Sequence, residues 1–483
     1  MHEAPPPAPS PAPAPGPSPS ALPAEPLSHG LKQRHLTMLG LGGVIGAGLF
    51  VGSGAGIAVA GPAIVVSYLI AGALAMLVMR MLGEMSAAMP ASGSFSVHAE
   101  RALGRWAGFS VGWLYWFLLV VVLAVEATAA AQIAHGWVPG IEPWAWVLLF
   151  MVVFTAANLT AVKNFGEFEF WFASLKVGAI VVFLVLGVLA VLGLLPDTDP
   201  VGMANLTGQG GFLPNGWGGV VSGVLTVVFA FGGLEVVTIA AAETDDPARA
   251  VGRAVRSAVV RILFFYVGSM LVIVTVLPWT AQQAGLSPYV KVLDAIGVPS
   301  AGQIMNIVVF VALLSALNAN LYGSSRMIFS LAERGEAPRG LLKVSGGGSR
   351  RTGAEGGVPR RAVLASVAFG FVSVLLNLLW PDTVFLYMLN SVGAVLLFVW
   401  ALIAASQLRL RARLEQEAPE ALSLRMWCFP YLTWVTLAGL FGVLLLMLTD
   451  EAARPQVLWS AGATAVVALV AVGRQWRERR GPA

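Results

Sequence analysis

The chain has 483 residues; 57% fall in the AVILMFWYC class and only 11% are charged, against about 25% charged in ordinary soluble domains. Its formal net charge is +4 although its pI is near 9.4, and its mean hydropathy is +0.79. These values exclude a water-soluble domain, a largely disordered chain and the dense basic footprint of a nucleic-acid binder. What remains is a polytopic all-α membrane protein whose few charges carry the information.

Residues 1–28 form a Pro/Ala tract, PPPAPSPAPAPGPSPS at its centre, read as a disordered tail rich in polyproline II. It lacks the charged and apolar regions of a secretory signal. Apolar segments then follow one another. A membrane helix needs about 20 apolar residues, which predicts twelve spans, at 36–58, 62–88, 106–135, 143–162, 170–195, 216–240, 257–277, 303–330, 361–380, 383–406, 427–449 and 455–473. Residues 94–105 read as a short amphipathic connector at the inner interface, and 341–359 as a mobile Gly/Ser/Arg-rich loop. The last residues, 475–483, form a basic tail. With the N-terminus in the cytoplasm, only Lys291 and Arg454 fall in outer loops. Every other Lys and Arg lies in tails, inner loops or inner span ends, so both termini are expected to be cytoplasmic. Most tryptophans, Trp106, Trp137, Trp144 and Trp217 among them, sit near span ends as an aromatic belt. The single cysteine, Cys428, excludes an intramolecular disulfide and reads as a small apolar filler.

Two spans carry backbone breakers. The first holds Gly42, Gly43, Gly46 and Gly48 within seven residues. Either small residues allow close helix packing, or the segment is unwound against a polar cavity. The sixth span, Phe229-Ala230-Phe231-Gly232-Gly233-Leu234-Glu235, repeats the feature. Spans one and six correspond in a chain built of two five-helix halves plus two extra helices. Paired interrupted helices point to a transporter's central site. A half-helix N-terminus favours a carboxylate, and the free carbonyls before the second break suit an ammonium. A zwitterion fits this arrangement, and no cofactor, metal or catalytic side chain is required.

The strings GLKQRHLTMLGLGGVIGAGLFVGSG, GEMSAAMPASGSF, GRWAGFSVGWLYWF, VKNFGEFEFWFASLKV, PNGWGGVVSG, FGGLEVVTIAAAETDDPARAV and LNANLYGSSRMIFSLAERG recur in order from about residue 30 to the last span. They resemble the amino-acid permeases of the amino acid–polyamine–organocation superfamily, in its amino acid transporter family. The wording HLTMLG, VIGAGLFVG, GWLYWF and RMWCFPYLTW is most similar to bacterial γ-aminobutyrate permeases. The resemblance implies a permease domain over 30–474, a five-plus-five inverted repeat with broken helices 1 and 6, and proton-driven amino-acid uptake through the bacterial inner membrane. Carried over by position, Ile45, Gly46, Ala47 and Gly48 would bind the carboxylate. The carbonyls of Phe229, Ala230, Phe231 and Gly232 would bind the amine, with Phe231 as a gate.

A charge at the bilayer centre costs about 2.5–3.5 kcal/mol on insertion scales, so each one is a functional candidate. Glu126 is either a structural acid paired across helices or an acid near the substrate's amine or in the proton path. Glu235 either holds the broken helix by accepting hydrogen bonds or acts as a proton-linked switch. Lys176 either snorkels to the inner interface or, as the resemblance implies, replaces a bound cation with a titratable ammonium. Arg80 and Glu84 are expected to pair at i,i+4. Glu243 to Pro247 reads as a helix stop. Asn318, Asn320, Ser324 and Ser325 read as a polar stripe, more often interhelical glue than pathway.

The reading is therefore a secondary transporter and not an enzyme, lacking a phosphate-binding loop and importing an amino acid, foremost γ-aminobutyrate, with protons. Its partners are a small-molecule substrate, protons and the lipid bilayer. The alternatives are a permease or exchanger for an aromatic, branched or basic amino acid, or a transporter-like nutrient sensor.

Overall fold

A computed structural model describes residues 45–89, 94–160, 165–196, 200–235, 247–282, 285–342, 359–381, 383–449, 451 and 454–480. The Pro-rich tail, the start of the first span, Glu243–Asp246 and most of the 341–359 loop lie outside these residues. The described chain is helical. In order it comprises α1 (Ala47–Phe50), α2 (Gly52–Ala60), α3 (Ile64–Ala88), α4 (Ser94–Leu103), α5 (Arg105–Trp137), α6 (Pro143–Thr160), α7 (Phe165–Val191), α8 (Gly216–Val228), α9 (Pro247–Arg261), α10 (Gly268–Val276), α11 (Pro288–Ala295), α12 (Ala301–Glu333), α13 (Arg360–Leu379), α14 (Val384–Glu417), α15 (Tyr431–Met447) and α16 (Arg454–Arg480). Among the described residues, eight helices are long and apolar enough to cross a membrane, and three shorter apolar helices accompany them.

The helices sort by what their side chains meet. α5 and α14 are apolar around most of their circumference and are buried along most of their length. α5 packs against α6, α12, α14 and α16, while α8 packs against α2, α3 and α14. The outer helices turn apolar residues outward instead. Leu149, Val152 and Val153 of α6, Val182 and Val185 of α7, and Phe369 and Leu375 of α13 are all exposed. An apolar outside around an apolar inside is what a lipid solvent selects. The 94–105 connector forms as α4, with His98 buried against Ser86 of α3. Burial and the neighbouring Arg101 push the His98 imidazole down to about 4.

Two expectations fail. Arg80 and Glu84 do not pair. Arg411 of α14 reaches Glu84 at 2.5 Å, Gln407 donates to it at 2.8 Å, and the Met426 N–H also donates to it. Thr433 of α15 donates to the Gln407 carbonyl at 3.0 Å, which completes the network. Arg80 instead donates to the Arg425 carbonyl at 3.0 and 2.7 Å and stacks over Trp427. The planar guanidinium of Arg411 enters from a facing helix, while the Arg80 stem carries its head towards the helix end. Cys428 is not a filler: it is exposed in the turn before α15, which starts four residues later than the span beginning at 427 would place it.

Among the described contacts, one residue of the α12 polar stripe bonds across helices and three do not. Asn318 accepts a hydrogen bond from Asn158 of α6 at 2.8 Å, and Asn320, Ser324 and Ser325 bond back to carbonyls of their own helix.

Candidate functional site

Both glycine-bearing spans are interrupted. Gly46 is extended at φ −149°, ψ −143°, and helix begins at Ala47. It breaks again at Val51 before α2 resumes. α8 tightens into a 3-10 turn over Phe229–Phe231. Gly232 is then extended and Gly233 takes φ +91°, a conformation that excludes a β-carbon at little cost only for glycine. The two breaks touch. A β-carbon on Gly48 would lie 2.7 Å from Ala230 Cα and 2.7 Å from the Phe229 ring, so glycine is what allows the backbones this close.

The free backbone groups at the two breaks are met by side chains. The Ala47 N–H donates to both oxygens of Glu126, at 3.0 and 3.1 Å. The Tyr266 hydroxyl donates to the Ala230 carbonyl at 2.8 Å. Tyr266 stands on a π-helical turn, Ile262–Val267, where the extra residue re-aims the side chains between α9 and α10. Phe231 is fully buried, with its ring against Tyr68 and Tyr266 at centroid distances of 6.0 and 5.0 Å. Above α1, Tyr289 of α11 closes on Phe50 and Phe183 at 5.1 and 4.5 Å.

The intramembrane charges take two arrangements. Glu235, 1% exposed, accepts the Gly233 N–H at 2.8 Å and the indole N–H of Trp400. These contacts pin the chain just past the break. Lys176 does not snorkel: it is 1% exposed. Its ammonium lies 3.9 Å from Glu169, and its charge also reaches Glu126. Its Nζ makes no hydrogen bond among the described residues. Glu169, 2% exposed, accepts the Ser315 hydroxyl of α12 at 3.0 Å with its other oxygen.

Of the sequence-derived residues, the structure brings Ala47, Gly48, Glu126, Phe229, Ala230 and Phe231 together, with Lys176 within electrostatic reach of Glu126. Glu235 stands apart, turned towards Trp400 of α14. Sequence reasoning missed Glu169, Tyr266 and Trp400. Glu169 carries a legible signal, since it lies seven residues before Lys176 and therefore on the same helix face. Trp400 is a mid-span tryptophan among others at span ends. Tyr266 has no signal short of the fold.

A family model described as amino acid permease matches residues 35–473. The chain is 48% identical over 437 residues to a γ-aminobutyric acid permease of Bacillus subtilis, covering 90% of this chain and 91% of that one. It is 49% identical over 437 residues to an aromatic amino acid transport protein, AroP, of Corynebacterium glutamicum, covering 90% and 92%. A γ-aminobutyric acid permease of Escherichia coli is 43% identical over 455 residues, covering 94% and 95%.

Proposed function

The chain belongs to the amino acid permease family, and on that premise we propose that it imports γ-aminobutyrate by symport with protons across the bacterial inner membrane. The family is one of transporters, so an amino-acid substrate and a multi-pass membrane setting come with membership. The observation that carries the finer reading is the contact of the two broken helices, Gly48 against Ala230, with the nearby Ala47 N–H already holding a carboxylate.

In this reading the substrate carboxylate takes the Ala47 N–H over from Glu126, with Ile45, Gly46 and Gly48 lining its path. The ammonium takes carbonyls of Phe229 to Gly232, displacing the Tyr266 hydroxyl from Ala230. Phe231 gates the site. Protons are carried through Glu126 and Lys176, and Glu235 responds through the second break. Twelve spans follow if the continuous stretch Ala47–Ala88, 42 residues long, counts as two. They form a five-plus-five repeat plus two, with both termini cytoplasmic on the distribution of Lys and Arg. Two relatives named for γ-aminobutyrate support that substrate, while the relative named for aromatic amino acids supports a second.

Purified protein in liposomes, acidic outside, should accumulate labelled γ-aminobutyrate and acidify the lumen, indifferent to sodium. Unlabelled phenylalanine, leucine and lysine should compete poorly. Stronger competition by phenylalanine moves the assignment to the aromatic class. Sodium-dependent uptake sinks the proton reading, and binding without net flux favours a sensor.

A further inference from the structure

We propose that Glu169 is the inner proton acceptor of the cycle, taking a proton from Lys176 and releasing it to the cytoplasm. The inference rests on the proton-symport reading and on the cytoplasmic placement of the α7 N-terminus proposed with it.

The geometry has three parts. Glu169 and Lys176 are both on α7, two turns apart, which at 1.5 Å per residue sets Glu169 about 10 Å nearer the helix start. Glu126 reaches Lys176 from α5, at the substrate break. The ammonium therefore lies 3.9 Å from the carboxylate towards the inner face and within the electrostatic reach of the one at the break. Second, the contacts are incomplete. Lys176 Nζ and Glu169 Oε1 are 3.9 Å apart, and neither makes a hydrogen bond among the described residues. A buried polar group left so pays no structural role fully, whereas a small movement or one water brings the pair into range for proton transfer. Third, Glu169 is aimed. Ser315 donates to Oε2 from α12 and leaves Oε1 turned to Lys176. Among the described residues, Lys176 is the charge that reaches Glu169, and α12 presents it with the Ser315 hydroxyl.

The charges balance. Glu126, Lys176 and Glu169 sum to −1 with a proton on Lys176 alone, and to zero with one proton more. A low-dielectric site favours the neutral cluster. A proton entering at Glu126 from outside loads it. Lys176 passes its proton to Glu169 and regains one from Glu126, and Glu169 gives its proton to cytoplasmic water.

The test uses the full chain in liposomes with γ-aminobutyrate and phenylalanine as probes. Glu169→Gln should lose pH-driven accumulation and substrate-evoked proton flux. Substrate counterflow, which needs no net proton release, should stay within about twofold of wild type. Glu169→Asp should restore part of the flux, and Ser315→Ala should lower it while leaving counterflow intact. Flux retained in Glu169→Gln overturns the proposal, as does parallel loss of flux and counterflow that Glu169→Asp and Ser315→Ala share. A wild-type protein that transports without proton flux instead overturns the symport reading on which the inference stands.

Discussion

Two of the buried charge clusters among the described residues are satisfied to different degrees. Around Glu84, every described contact is closed: Arg411, Gln407 and the Met426 N–H converge on one carboxylate, and Thr433 completes the Gln407 amide. The network ties α3, α14 and α15 together. Around Lys176, the ammonium has two acidic neighbours, a 3.9 Å separation and no hydrogen bond. Burying a charge is costly unless it is paired and hydrogen-bonded. A closed network repays that cost in the state observed. An open one suits groups that must exchange partners as the transporter moves. On the proposed symport reading, the comparison separates an anchor from a working part.

Four substitutions can break or sharpen this contrast. The largest effect is expected from Lys176→Ala: proton-driven uptake in liposomes should fall to that of empty vesicles while the unfolding temperature changes little. A matching collapse of both would make the Lys176 cluster an anchor too. Arg411→Ala should do the reverse. It leaves Glu84 buried without its charge partner, at a cost of about 3–5 kcal/mol, read as a lower unfolding temperature and lower yield in detergent. Trp400→Phe removes a donor from the buried Glu235 carboxylate and should cost about 1.5–3 kcal/mol of stability, with slower uptake because the chain just past the second break is less firmly held. Ser315→Ala should be mildest for stability, about 1 kcal/mol, and should show itself chiefly in proton flux. A large stability loss there would assign Ser315 to the anchoring class.

Much of the candidate site could be read before any fold was known. Paired glycine clusters at membrane depth located both breaks, because irregular backbone in lipid must line protein or a cavity. Glu126, Lys176 and Glu235 stood out because charge inside an apolar run is rare. What charge-counting could not give was partners. Glu84 was matched with Arg80 by i,i+4 spacing, yet its cation comes from Arg411, 327 residues away. Lys176 could have snorkelled, since a long aliphatic stem permits either outcome. Its burial follows from the helices that α7 packs against, α10, α11 and α12.

By itself the sequence determined the membrane solvent, the apolar spans and the places where helix would fail. These follow from local composition: hydropathy over about 20 residues, and the conformational freedom of glycine. Only the tertiary structure decided that Gly48 meets Ala230, that Glu126 holds the Ala47 N–H, that Tyr266 covers the Ala230 carbonyl, and that Glu169 faces Lys176. Apart from the Glu169–Lys176 pair, whose seven-residue spacing was already legible, these contacts join segments tens to hundreds of residues apart. Which side chain satisfies which backbone group depends on helix rotation and approach, set by packing across the whole bundle and by no single segment of it.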